Sequence, residues 1–513
     1  MEPSGEEAAA KCAKPSLAGE DRLSALPDDV LVLILLRLRT PEVVRTSVLS
    51  RRWRSVWGLL PELRFSDPEP HGLRGALSAS AVPLRYLLVW WLRGAPAESI
   101  ANWLPAAARR LTGELALVDM GRAGGESEER GTLDLPCFDK ATSISLDLGF
   151  LGLSMPAAGV FARLTDLTLS GIRFHGPCEL GSTVSSLRCP CLQKLTVHDS
   201  YGLDNLTINS GSLKLVELVQ LRGLWQLTVV APVLQELSVV RCFLCYQTRQ
   251  PVVNISVPQL ESLNWVGAYD PSSVRIGKME SLKSLTTIFL VYGAEGFTLN
   301  PACLMLMSRV KVIESLTLGL CHPQEINNYQ YLMDDMTILP DVTSLHLILS
   351  VEGHSFGACS FHILRMCPGI KRLIMDLSNR FILKAQAECP QGCICDQPSN
   401  WKTEELKLNC LREMEIREFR GSDHELVFLK RLFTWATGLK RIAVAFNVSV
   451  VFLKRLFTWA TGLKRIAVAF NVSVAESATK ELCKMLRTFS RPEICMDFYV
   501  YQNMVKVLYA YED

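Results

Sequence analysis

The chain has 513 residues, 49% of them apolar and 21% charged, which suits a folded protein with more than one core. A net charge of +2 gives no global pull toward nucleic acid or an anionic membrane. The 17 cysteines are odd in number and lack paired spacing, which reads as reduced thiols in the cytosol or nucleus rather than a disulfide framework.

Residues 1–20 are small, polar and acidic, without the apolar core of a secretory signal, and read as a disordered tail. The apolar runs "VLVLILL" at 30–36 and "YLLVWWL" at 86–92 fall far short of the ~20 residues that span a bilayer. Between them, 21–66 reads as three short helices. The first starts near Pro27-Asp28-Asp29, where proline and two carboxylates suit the positive end of a helix dipole, and runs to about Leu38. Thr40 is placed to cap a second helix, with Pro41 at its first position, and Ser50 a third that carries Trp53 and Trp57 on one face. The first helix is apolar all round from Val30 to Leu36, more than a module this small can bury. Either the rest of the chain covers its second face or a partner does.

The Leu26-Pro27 pair, "LPDDVLVLILLRL" and then "VVRTSVLSRRWRSVW", resembles an F-box. That resemblance implies docking on the Skp adaptor of cullin-based ubiquitin ligases, and tips the choice toward an external partner. By position it implies contacts from Leu26, Pro27, Leu31, Ile34, Leu35, Val48, Leu49 and Trp53. Arg51, Arg52 and Arg54 fit the same pattern but read as a solvated basic face.

Residues 67–140 read as a connecting segment, with "IANWLPAAARRLTGELAL" at 100–117 as the entry to a repeat region. From Ile144 one pattern returns: leucine, two residues, leucine, one residue, an apolar residue. It appears as "LTDLTL" at 164, "LQKLTV" at 192, "LDNLTI" at 203, "LWQLTV" at 224, "LQELSV" at 234, "LESLNW" at 260, "IESLTL" at 313, "VTSLHL" at 342, "IKRLIM" at 370 and "LREMEI" at 411. Alternation of the inner residues predicts short strands with one buried face. In the best-kept stretch Leu203 to Leu224 and Leu213 to Leu234 are both about 21 positions, within the 20–29 of leucine-rich repeats. The consensus Asn or Cys after the strand is met at Cys242 and Cys321, but not at Ile172, Ser200, Ser350 or Ser378. The expected fold is an α/β leucine-rich-repeat solenoid, a horseshoe over 141–400, preceded by the small three-helix F-box. Its irregular repeats resemble plant F-box leucine-rich-repeat proteins, and stacked strands offer a long surface suited to protein recognition.

"NCLREMEIREFRGSDHELVFLKRLFTWATGLKRIAVAF" at 409–446 resembles the FBD module of plant F-box proteins, and 401–490 is assigned to it, leaving 491–513 as a C-terminal tail. Within it Phe428, Leu429, Leu432, Phe433 and Ala436 share a helix face, Gly438 sits where a C-cap belongs, and "LKRIAVAF" reads as a strand. Residues 427–450 recur without a change at 451–474. One helix plus one strand is the size of one solenoid turn, so the second copy can stack as an extra turn. Perfect identity marks a recent duplication or an error in assembling the coding sequence, and no function is read into it.

Cys389, Cys393 and Cys395 offer three thiolates to zinc, but without paired Cys-x2-Cys knuckles they read as reduced loop cysteines, and no metal is assigned. His346, His354 and His362 lack metalloprotease spacing, and "RAGGESEERG" lacks the Gly-Lys-Ser/Thr of a phosphate loop. No nucleophile setting is recognisable, so no catalytic residue and no cofactor are expected. The basic stretch "FLKRLF" with "GLKRI" reads as the charged edge of a packed helix, not a nucleic-acid or membrane site. The resulting expectation is a non-catalytic substrate receptor of a cullin ubiquitin ligase. It would bind the Skp adaptor, through it cullin, and an unidentified target protein. A repeat scaffold outside any ligase and a small-molecule receptor are the alternatives.

Overall fold

The computed structural model describes residues 26–38, 45–46, 51–80, 82–92, 94–121, 130–174, 180–243, 250–293, 299–326, 328–377, 393–419, 422–446, 463–470, 495–502 and 505–508. The helices of this region are α1 (Asp28–Leu35), α2 (Arg51–Trp57), α3 (Pro70–Ala79), α4 (Ala97–Ala101), α5 (Leu104–Arg110), α6 (Leu180–Thr183), α7 (Leu299–Met307), α8 (Gly357–Met366) and α9 (Asp423–Trp435).

Parallel strands stack from Glu62–Ser66 to Cys495–Gln502 into one 19-stranded sheet, closed by the antiparallel strand Val505–Leu508. A single file of apolar side chains runs through it in register. It passes from Leu63 through Leu87, Leu115, Ile144, Leu167, Leu195 and Val216. It continues through Leu237, Leu263, Leu285, Leu316, Leu345, Leu373, Met414, Ile442 and Ile466, all of them buried. No strand could hide this face alone; each turn lends its neighbour the apolar cover it lacks, as in a solenoid. This is the leucine-rich-repeat architecture. The sheet begins at Glu62 and is continuous across residues 67–140 and past 401, so the segment read as a connection and the FBD-like segment are turns of the same stack.

The leucine pattern marks two sheets. "LDNLTI" and "LWQLTV" form Asn205–Asn209 and Gln226–Val230, which pair with Val252–Ser256 and Val274–Ile276 in a separate four-stranded sheet. Their own buried file is Leu206, Leu227, Val253 and Val274. Here a turn goes out on one sheet and returns on the other, so Leu215 to its partner Glu236 takes 236 − 215 = 21 residues. Where the return contains α7, Ser284 to Ser315 takes 315 − 284 = 31. A helix advances ~1.5 Å per residue against ~3.3 Å in a strand, so a helical return needs more chain for the same span.

Between turns, buried groups bond the neighbouring backbone. The Cys242 thiol donates to the Leu218 carbonyl (3.3 Å), as the consensus position should. Ser200 departs from that consensus yet does related work: its hydroxyl accepts from the Ile172 N–H (3.2 Å) and donates to the His198 carbonyl (2.7 Å). Asp119, almost wholly buried, pairs with Arg130 and accepts from the Gly121 N–H (2.9 Å).

The duplicated unit stacks in register, Arg441 on Arg465 through Phe446 on Phe470, with Leu463, Ile466 and Val468 buried. The helix expected for the second copy falls on residues outside those described. Gly438 departs from expectation: α9 ends at Trp435 with Ala436 as its cap residue, and Gly438 is absent from the glycines of positive φ. The need for glycine there is close approach, because a Cβ would collide with the Arg412 guanidinium and the Asn409 carbonyl.

Candidate partner-docking surface

α1 begins at Asp28, with Pro27 as the extended residue at its N-cap and Asp28 and Asp29 in the first turn. Helical bonding ends at Leu35, and the chain continues to Leu38 through tighter turns, Arg37 N–H to the Ile34 carbonyl and Leu38 N–H to the Leu35 carbonyl. The helix divides its apolar residues between two faces. Leu31 and Leu35, one turn apart, are buried, as is Trp53 of α2, which packs on α1. Opposite them stands Leu33, Val30 and Ile34 lie one turn apart about 100° round the helix, Leu38 follows just past the helix end, and Pro27 is exposed at the start. Leu33 is 63% exposed, Leu38 41% and Ile34 36%. Large apolar groups scattered singly on a surface are ordinary; a stripe on one short helix is not.

Of the residues expected to touch a partner, the fold brings Pro27 and Ile34 to the surface and leaves Leu26 half-buried against the core. Leu31, Leu35 and Trp53 are inside this chain, where they hold α1 on α2 rather than face outward. Val48 and Leu49 lie outside the described residues. Leu33 and Leu38 are exposed as well and were not among the residues expected from the sequence.

Arg52, read from the sequence as part of a solvated face, has a specific place. Its Nε and Nη2 donate to Asp28 Oδ1 (2.9 and 2.7 Å), and Nη2 also donates to the Leu26 carbonyl. One guanidinium thereby ties α2 to the turn that starts α1. Fork-shaped donation of this kind fixes geometry better than a point charge does. The ion pair itself is half-exposed, and its net stabilisation is at most about 1 kcal/mol.

The open face of the long sheet is the second surface with recognition potential. Its middle carries neutral groups in register, Ser262, Ser284, Ser315 and Ser344 in one row and Asn264, Thr286, Thr317 and His346 in the next. Its C-terminal end is charged and paired across strands. Arg441 meets Glu413 (2.6 Å), Arg465 meets Asp497 (2.6 Å), and Glu415 takes Arg372 from the neighbouring strand (3.3 Å) and Arg417 from its own (2.9 Å). Burial pushes the Cys242 and Cys303 thiols up to about 12, so they stay protonated and inert. No described helix is long and apolar enough to cross a membrane.

Comparison with known families meets this geometry at both ends. The F-box domain model matches residues 23–65, which hold α1, α2 and the first strand of the sheet. A second model, described as the LRR repeats of FBD-associated F-box protein At5g56370, matches residues 100–288. Relatives in Arabidopsis thaliana include F-box/FBD/LRR-repeat protein At3g49030, 29% identical over 48% of this chain and 53% of its own length. F-box protein At3g59000 is 25% identical over 83% of this chain and 86% of its own. F-box/FBD/LRR-repeat protein At3g51530 is 30% identical over 39% and 45%. The chain thus spans about half the length of the first and third of these. It carries an F-box domain followed by leucine-rich repeats of the FBD-associated kind.

Proposed function

We propose that this chain is the substrate receptor of a Skp–cullin ubiquitin ligase, with the outer stripe of α1 seated on the Skp adaptor and the repeat sheet holding a target protein. The observation that carries the reading is the stripe itself, Pro27, Leu33, Ile34 and Leu38, left open in the domain that matches the F-box. An apolar face that a folded chain leaves uncovered is stabilised by a partner that covers it. The mechanism is then proximity: a bound target is held at high effective concentration near a ubiquitin-charged enzyme, and this chain makes or breaks no bond itself. Protein recognition falls to the neutral rows at the middle of the open sheet face, whose hydroxyls and amides can exchange water for a partner's backbone at little desolvation cost. The charged rows at the C-terminal end already satisfy one another. The described cysteines form no disulfide with one another, which favours a reducing compartment, cytosol or nucleus.

Co-purification with the Skp adaptor tests the reading, comparing the native chain with a Leu33→Glu, Ile34→Glu variant. Binding by the native chain and its loss in the variant is expected. A native chain that is folded and binds no adaptor at micromolar concentration favours a repeat scaffold outside any ligase.

A further inference from the structure

Between the paired strand positions Arg372 and Glu413, Cys393 caps the start of the one-turn helix Ile394–Asp396, and Cys395 lies within it. His354 reaches them from the loop before α8. The Sγ atoms of both cysteines and a ring nitrogen of His354 all lie within 4.8 Å of one another. His354 and Cys395 are buried and Cys393 is half-buried.

Details around the three donors suit a metal. His354 Nε2 sits 3.1 Å from the Gln324 carbonyl, which can only accept, so the ring proton is on Nε2 and the Nδ1 lone pair faces Cys393 Sγ at 3.5 Å. A carbonyl that fixes the tautomer of a ligating imidazole is the usual outer support of a zinc histidine. The Cys395 sulfur accepts from the Ser355 N–H (3.3 Å), a contact that favours the thiolate. Tyr292 donates to the Ile394 carbonyl between the two cysteines (3.2 Å) and holds that stretch against the solenoid. Zinc with bonds of ~2.3 Å to sulfur and ~2.0 Å to nitrogen sets tetrahedral donors about 3.5–3.8 Å apart. Cys393 Sγ and His354 Nδ1 are at that spacing and all three donors lie within 4.8 Å, two sulfurs and one nitrogen of the chemistry zinc prefers.

We propose that His354 Nδ1, Cys393 Sγ and Cys395 Sγ form a structural zinc site that staples the 372–413 turn to the loop before α8. On binding, each thiol releases its proton to solvent, and two thiolates neutralise the dication. The fourth tetrahedral position is left for water or another donor. The site revises the reading of Cys393 and Cys395 as plain loop thiols; Cys389 lies outside the described residues.

The test uses the full chain, purified under reductant, stripped with a chelator and titrated with cobalt(II). Binding at one equivalent should produce the visible bands of tetrahedral cobalt and a sulfur-to-metal charge-transfer band, both displaced by zinc. The Cys393→Ser and Cys395→Ser variants should lose the charge-transfer intensity stepwise, whereas Cys410→Ser, at an exposed cysteine outside the cluster, should keep it. No thiolate–cobalt band in the folded native chain would leave only an S–H···N hydrogen bond between Cys393 and His354 and overturn the proposal. So would a band that survives the double serine variant. Because the native titration decides by itself, a variant that fails to fold does not rescue the idea.

Discussion

α1 and α9 are both short helices rich in apolar residues, yet they end in different states. α9 lays Phe428, Leu429, Leu432, Phe433 and Trp435 against the solenoid, where Phe428 meets Trp401 (ring centroids 5.9 Å) and Phe356 (5.2 Å). α1 buries one stripe on α2 and leaves Leu33, Ile34 and Leu38 in water. Sheet and neighbouring turns supply cover for the first; a module of two described helices has none left for the second face. Apolar surface in this chain is therefore buried for stability at one end and left exposed at the other, where the proposed function puts it to association.

That contrast can be broken experimentally, beginning with its strongest element. Phe428→Ala removes a fully buried ring and should cost about 3–5 kcal/mol in denaturant unfolding of the repeat region. Adaptor affinity should not change. Leu33→Glu with Ile34→Glu should do the reverse. The unfolding midpoint should stay within about 0.5 kcal/mol of native, as for exposed positions, while adaptor binding falls by about 2 kcal/mol or more, the loss typical of an interface anchor. Ser422→Ala tests α9 at its start. Ser422 accepts from the Glu425 N–H (3.4 Å) while Glu425 accepts from the Ser422 N–H (3.2 Å), a reciprocal box whose loss should cost about 1 kcal/mol without touching adaptor binding. The smallest effect is expected for Arg52→Ala. Stability should fall by less than about 1 kcal/mol, and adaptor binding should weaken a few-fold because the Leu26-Pro27 turn is no longer tied to α2. Arg52→Lys, with a point charge in place of the fork, should restore only part of it.

Much of this was legible from residues alone. Apolar alternation marked the strands, and the period of α9 marked Phe428, Leu429, Leu432 and Phe433 as its buried face. The excess of apolar residues in 30–36 announced an uncovered helix. Two things were not legible. The leucine pattern is the same on both sheets, because a strand needs alternate apolar residues whichever layer it joins, so "LDNLTI" and "LQELSV" look alike while lying on different sheets. Which side of α1 faces inward was also hidden, since an all-apolar helix has no polar face to orient it. Residue-by-residue resemblance placed Leu31, Leu35 and Trp53 at a partner surface, yet the isolated chain uses them as its own core. His354 joins Cys393 and Cys395 across ~40 residues of sequence, a distance that only folding closes.

The central claim is that the open stripe of α1 is a docking surface and not a stabilising one. Titration of the Skp adaptor into the native chain and into the Leu33→Glu, Ile34→Glu chain, with thermal unfolding of each recorded in parallel, tests it most directly. The account predicts saturable binding by the native chain, none by the variant, and coincident unfolding curves. Equal binding by both chains, or a variant that unfolds well below the native one, would contradict it.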